Sequence, residues 1–326
     1  MTHLTFNLGQ TKKANFVKNI MENREVSLFI IVMITFILFS ISLNNFFSFD
    51  NIRSIFAGST FALLLASGLA LVIITAGIDL SVGAMLSLTS VFTCTLLSSG
   101  IPTLVAVPAG LFFSVILGGI NGLGVAWLKI PSFIVTLAMF SVARGVATVW
   151  TSGYQITNLP TSFLEIGSAS VLNIPLYILI IILFIAFIDL LLRYWKPLHI
   201  IYYIGLNEEA SRLSGMKVAR TLIAVYAFSG LFSGIAAILI SAKSGMGYAG
   251  YGLGSELNAI TAAVIGGANL NGGRGSVFGA CLGVIFLAMV NNGFILAGIN
   301  PNWQWFINGV ILILFLVINA ATAKKQ

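Results

Sequence analysis

The chain has 326 residues, 16 of them Lys or Arg and 9 Asp or Glu, so charged residues make up 8% where a soluble domain carries about 25%. Hydrophobic residues make up 58% and the mean hydropathy is +1.04, more apolar side chain than a water-soluble fold of this size could cover. Disorder is excluded by the same figures, and a net charge of +7 spread over so few residues excludes a phosphate-tracking nucleic-acid surface, which leaves a polytopic membrane protein.

The first apolar stretch, 26–47, follows Lys12, Lys13, Lys18 and Arg24. It is too long for a signal-peptide core and no Ala-x-Ala-like site follows it, so it reads as a retained span. Further spans fall near 54–76, 82–98, 103–128, 132–151, 171–193, 221–242, 257–271, 276–296 and 303–322, ten in all; the short, Gly-rich 257–271 stretch is the weakest. The expected fold is therefore an all-α membrane protein of about ten transmembrane helices, a single transmembrane domain over 1–326 with no soluble part.

With the N-terminus in the cytoplasm, thirteen Lys and Arg residues (12, 13, 18, 24, 129, 193, 196, 212, 217, 220, 274, 324 and 325) fall inside. Only Arg53 and Lys243 fall outside, and Arg144 lies within a span. This is the asymmetry that the positive-inside rule expects, and it places both termini in the cytoplasm. Trp150, Tyr154, Tyr248, Tyr251, Trp303 and Trp305 are expected at the outer boundary, and Tyr194, Trp195, Tyr202 and Tyr203 at the inner one. The longest outer connection, about 152–170, reads as a short polar loop.

Gly77-Ile78-Asp79-Leu80-Ser81-Val82-Gly83 matches Gly267-Ala268-Asn269-Leu270-Asn271-Gly272-Gly273 at an offset of 190 residues. An internal repeat of the kind common in transporters is one reading. Chance likeness between two Gly-rich turns is the other.

Chemistry has few places to reside. Cys94 and Cys281 stand alone, and His3 and His199 have no ligand-spaced partners, which argues against a metal site and against a Ser-His-Asp site. No lysine follows a glycine, so no phosphate-binding loop exists and the chain is not expected to hydrolyse ATP itself. The inner connection contains Gly205-Leu206-Asn207-Glu208-Glu209-Ala210-Ser211-Arg212-Leu213-Ser214-Gly215. Asn207 suits an N-cap, Glu208 and Glu209 suit the first turn, and Gly215 suits the left-handed position after the end, so a short helix is expected over 208–214. It reads either as an ordinary capped loop helix or as a docking element for a cytoplasmic partner.

These features together resemble the permease subunit of bacterial ribose-type sugar ABC importers. Gly77 to Gly83 matches that family's Gly-Ile-Asp-Leu-Ser-Val-Gly stretch in full. The 205–215 loop is similar to its coupling segment, with Leu206 in place of a second Gly. Asn269 to Gly275 is similar to its Leu-x-Gly-Gly-[Lys/Arg]-Gly turn, and Asn291-Asn292-Gly293 also matches. The resemblance spans roughly 45–320. It implies a separate cytoplasmic ATPase that binds the ATP, a second permease copy or a paralogue, and an extracytoplasmic sugar-binding protein. It implies no cofactor in this chain. A self-contained secondary transporter competes, but few ionisable groups lie within the spans.

Single residues keep two readings. Asp79 or Ser81 either caps the helix that begins near Val82 or holds a gate. Arg144 is either an anchor bonded to free carbonyls or a pathway donor, and direct pairing with Asp79 is less expected than separate satisfaction because the two differ in depth. Asp189 and Arg193 should pair at the end of their helix. Asn121, Asn258, Asn291 and Asn292 need partners in lipid, and either interhelical bonds or substrate contacts would supply them. The Gly118, Gly119, Gly122 and Gly124 cluster should let helices approach closely.

Overall fold

A computed structural model describes residues 24–300 and 302–323. His3, Lys12, Lys13, Lys18, Lys324 and Lys325 lie outside the described residues. The helices are α1 (Arg24–Ser42), α2 (Phe49–Ile74), α3 (Val82–Ser98), α4 (Thr103–Ala126), α5 (Ser132–Thr151), α6 (Thr161–Ser168) and α7 (Leu176–Tyr194). They continue with α8 (Ile200–Leu206), α9 (Glu208–Leu213), α10 (Val218–Ser244), α11 (Ser255–Ile265), α12 (Val277–Leu296) and α13 (Trp303–Ala323). The only strands among the described residues are the two-residue pair β1 (Ser170–Val171) and β2 (Ile174–Pro175).

The boundaries follow local chemistry. Pro102, Pro131, Pro160 and Pro175 each stand immediately before a helix, where a missing N–H costs nothing. Ser48 and Ser276 accept from the N–H groups of Asn51 and Gly279 as N-caps. Helices occupy all ten expected stretches, but among the described residues seven are long and apolar enough to cross a membrane by themselves. Two are short: α3 has 17 residues and α11 only 11, about 16 Å at the helical rise and well short of a bilayer core. The expected 257–271 span thus ends at Ile265, and Gly266 to Ser276 is a turn. The expected 171–193 span begins instead with the β1–β2 hairpin. The expected polar loop near 152–170 carries α6, which buries Phe163 and packs on α10.

Each of the two short helices follows a long helix and a break. The 26-residue α2 leads through residues 75–81 into α3, and the 27-residue α10 leads through 245–254 into α11. The second break does not stay at the rim as an outer loop. Gly247 packs on Cys94, the Ala249 carbonyl accepts from Ser87 Oγ (2.6 Å), and Gly252 packs on Gly83. It therefore descends antiparallel to nearly the whole of α3, taking the backbone of Tyr248 and Tyr251 inward.

The two long helices are antiparallel: Lys243 Nζ donates to the Ala57 carbonyl, Gly68 meets Ser229 and Phe232, and Gly77 meets Tyr226. α10 packs on α3 and α4, while α2 packs on α11 and α12; α3 packs on α5, while α11 packs on α13. The contacts of α2–α5 are thus matched by those of α10–α13, the pattern that an inverted repeat gives. The sequence likeness at 190 residues is a local one: Asp79 accepts from the Ser81 N–H (2.9 Å) and Asn269 from the Asn271 N–H (3.1 Å), the same side-chain turn twice. In the architecture, however, the partner of the 75–81 break is 245–254.

α4 and α10 make the most extensive helix–helix contact among the described residues. A methyl group at Gly118, Gly122 or Gly230 would strike the backbone of Tyr226, Ile223 or Ser114 respectively, the approach that small residues permit. Gly119 faces open space and Gly124 meets Val135.

Candidate functional site

Three sites emerge, and the residues singled out from sequence divide among them. The first is the break before α3. Asp79 is fully buried. Its Oδ1 accepts from Ser81 Oγ (2.6 Å) as well as from the Ser81 N–H, and its Oδ2 accepts from Ser229 Oγ on α10 (2.8 Å). Asn121 on α4 donates to Ser81 Oγ (2.8 Å). The expected cap is corrected here: Ser81 makes no side-chain bond to an α3 N–H, its backbone already being helical rather than extended as an N-cap is, and its hydroxyl turns instead to Asp79, to which it donates, and Asn121, from which it accepts. Asp79 is instead a tie between the break, α3 and α10. Ser132 Oγ accepts from the Ile78 N–H (3.1 Å) and Thr136 donates to the Ile78 carbonyl (3.2 Å), fastening the same break to α5.

The second site is the break before α11. Arg144 Nη1 donates to the carbonyls of Ala249 (2.6 Å) and Tyr251 (2.8 Å). A descending non-helical segment leaves carbonyls unbonded, and a guanidinium is suited to hold two at once. Asp79 and Arg144 share no bond. The acidic neighbour of Arg144 is Glu256, in the first turn of α11, close enough for a charge interaction. Arg144 Nε, Arg144 Nη2 and Glu256 Oε2 are buried and unbonded among the described residues. The Glu256 carboxylate lies against Gly83, where the first turns of α3 and α11 meet.

The third site is a cleft of about 310 Å³ between α2, α11, α12 and α13. Its polar lining is Ser54, Ser59, Asn258, Asn291, Asn292, Gln304 and Asn308, with no charged side chain among the described residues. Asn292 and Asn51 exchange two amide hydrogen bonds (2.8 and 3.0 Å), and Asn308 donates to Asn258 Oδ1 (3.1 Å). Asn291 Oδ1 and Asn308 Oδ1 are buried and have no partner among the described residues. The cleft thus combines interhelical ties with two free acceptors. Of the residues noted in sequence, Asn291, Asn292 and Asn258 belong here, while Asn121 belongs to the Asp79 tie.

The 205–215 segment lies apart from these sites. Asn207 Oδ1 accepts from the Ala210 N–H (2.9 Å), a true N-cap; the helix ends at Leu213, with Ser214 as C-cap and Gly215 at φ +79°. Glu208 pairs with Lys129 (3.1 Å) and Arg212 (2.9 Å), and Glu209 pairs with Arg212 (3.4 Å). Gly205 belongs to α8, not to the exposed helix. It is buried against the Ile74 carbonyl and the Gly273 amide, which bond to each other (2.9 Å). Leu206 at the end of α8 is 66% exposed and Leu213 at the end of α9 81%, so the two ends of the segment present apolar side chains outward. The expected Asp189–Arg193 pair forms at 2.6 Å, and Glu25 joins it at 2.7 Å.

Sequence reading missed Asn51, Asn308, Ser229, Glu256 and the whole 245–254 segment. The last had a signal: Gly245, Gly247, Gly250, Gly252 and Gly254 stand within ten residues, and a Gly-interrupted hydrophobic segment marks a discontinuous helix. Ser229 and Glu256 had none, since their roles depend on partners far away in sequence, Asp79 and Arg144.

Interlocked broken helices in an inverted repeat, beside an amide-lined cleft, define a multi-pass solute permease. The chain belongs to the family described as branched-chain amino acid transport system / permease component, which matches residues 51–316. It is 34% identical to the ribose import permease protein RbsC of Haemophilus influenzae, over 91% of this chain and 94% of that protein. It is also 34% identical to RbsC of Bacillus subtilis, over 78% of this chain and 80% of that protein. Against the autoinducer 2 import system permease protein LsrC of Shigella flexneri it is 31% identical, over 93% of this chain and 89% of that protein. No solved structure matches.

Proposed function

We propose that this chain is the membrane-spanning permease of an ATP-driven importer that carries a monosaccharide, a pentose or a related sugar, across a bacterial cytoplasmic membrane. The carrying observation is the amide cleft with its two buried, unpartnered acceptors, Asn291 Oδ1 and Asn308 Oδ1. A polyhydroxylated neutral solute donates hydroxyls to such acceptors, and an uncharged lining neither attracts nor repels by net charge. The 34% identity to proteins named as ribose import permeases supports the same substrate class.

The chain would cross ten times with both termini in the cytoplasm, the 245–254 segment and α11 forming one discontinuous crossing. A cytoplasmic ATPase would dock on α9 and its exposed Leu213, and ATP would bind there rather than in this chain. The buried Gly205 mount would carry the push to the turns at Ile74 and Gly273. A second copy or a paralogue would complete the path, and a binding protein would deliver sugar to the outer mouth of the cleft. Deleting this permease in its host and measuring uptake of a panel of labelled monosaccharides tests the reading. Loss of one pentose or related sugar, restored by the intact chain and by Asn291→Ala only at higher sugar concentration, is expected; unchanged uptake of all of them would remove it. External cysteine labelling at positions 2 and 325 tests the topology, since strong labelling in intact cells would place a terminus outside.

A further inference from the structure

Two cavities adjoin at the start of α10 and share a wall of two residues, Lys217 and Arg220. One, of about 380 Å³, is basic: Lys129, Arg212, Lys217 and Arg220 line it, and no acidic residue does. The other, of about 520 Å³, is apolar and runs along α7 and α10 past Leu191, Leu192, Trp195, Ala224 and Phe228. Its only charged lining residues are again Lys217 and Arg220.

Lys129 and Arg212 are already engaged with Glu208. Lys217 and Arg220 are exposed, and neither has a carboxylate within ion-pair distance among the described residues. The exposed Tyr194 and Trp195 at the end of α7 mark this level as a membrane–water boundary, where amphipathic rings settle. An apolar groove that opens at such a boundary onto two unpaired cations has the polarity of an amphiphile with an anionic head.

We propose that this paired cavity is a binding site for an anionic phospholipid. One acyl chain lies in the groove between α7 and α10, and the phosphate rests between Lys217 and Arg220. The charge complementarity selects the occupant, since a zwitterionic lipid would fill the apolar groove equally well and gain little from the two cations. Each basic side chain near a lipid phosphate favours the anionic form by about fivefold, so two give a preference of about 30-fold. The site also touches α9 through Arg212, so a bound headgroup would border the helix assigned to partner docking.

The test uses the full chain, purified and placed in nanodiscs of equal phosphatidylglycerol and phosphatidylcholine, with lipids retained after release counted by native mass spectrometry. The wild type is expected to retain phosphatidylglycerol about 30-fold over phosphatidylcholine. The double change Lys217→Gln and Arg220→Gln should bring the two lipids level, and Ala224→Trp, which fills the groove without touching charge, should reduce retention of both. Millimolar inorganic phosphate should displace neither. The proposal is overturned if the wild type shows no preference, if the double variant keeps it, or if Ala224→Trp leaves retention unchanged. It is also overturned if the double variant loses its ATPase partner while lipid preference persists, because the basic cavity would then belong to a protein interface. Both faces of a nanodisc carry the same lipids, so the result does not depend on which end of the permease is cytoplasmic.

Discussion

Gly83 and Gly252 lie backbone against backbone, and a side-chain carbon on either would enter the space of the other's carbonyl oxygen. This contact joins the first turn of α3 to the break that leads into α11, so the two discontinuous halves of the molecule meet there.

Gly83→Ala should therefore be severe. No flexible side chain can move aside, and forced overpacking costs about 1–3 kcal/mol or more. Gly252→Ala should be worse, because Gly252 also stands at φ +70°, which adds about 1–2 kcal/mol for a residue with a Cβ. Thermal denaturation of the purified variants in detergent reads both; a Tm within a degree of the parent for either would show that the contact is not tight.

Arg144 should depend on the reach of Nη1 as well as on its charge. Arg144→Lys keeps the charge, but its side chain is one bond shorter and its ammonium falls short of the Nη1 position that bonds both carbonyls, and charged hydrogen bonds are worth about 1.5–3 kcal/mol. Uptake and stability should both fall for Arg144→Lys, and further for Arg144→Ala. Parent-level uptake by Arg144→Lys would make the residue a mere point charge.

Asp79 and Arg144 tie down different breaks through different partners, so their effects should add. Asp79→Asn keeps one acceptor oxygen and should be milder than Asp79→Ala, which strands the Ser81 and Ser229 hydroxyls at about 1–3 kcal/mol. In a double-mutant cycle of Asp79→Asn with Arg144→Ala, the coupling energy should stay below about 0.5 kcal/mol. A coupling above about 1 kcal/mol would mean that the two interact in some state of the transport cycle.

The amide cleft separates structure from transport. Asn51→Ala and Asn292→Ala each leave half of a reciprocal pair unbonded and should cost about 1–3 kcal/mol of stability. Asn291→Ala removes only an unpartnered acceptor, so it should leave the Tm unchanged and raise the sugar concentration needed for half-maximal uptake. Unchanged uptake in Asn291→Ala would take that acceptor out of the path.

The 208–213 helix should transmit rather than merely connect. Gly215→Val strains a left-handed position by about 1–2 kcal/mol. Glu208→Lys replaces attraction to Lys129 and Arg212 with repulsion at a helix N-terminus. Both variants should insert normally and lower uptake or co-purification of the ATPase. Parent-level transport and pull-down by the double variant would reduce the helix to a loop.

Composition, charge asymmetry and hydropathy were enough to read a multi-pass membrane protein, the stretches where helices lie and the short capped helix, because each depends on neighbours in sequence: apolar runs, caps and basic flanks. The Gly77–Gly83 motif and the 205–215 segment likewise carried the family. What a buried polar group bonds to is decided by residues brought together from afar. Ser81 looks like a cap until its hydroxyl turns to Asp79 and Asn121, and Asp79 finds Ser229 at a separation of 150 residues. Gly245 to Gly254 looks like a rim loop until α3 and Arg144 supply partners for its backbone. In an apolar interior an unbonded peptide group is costly, so that segment can descend only where the tertiary structure places donors beside it, and no local pattern specifies those donors.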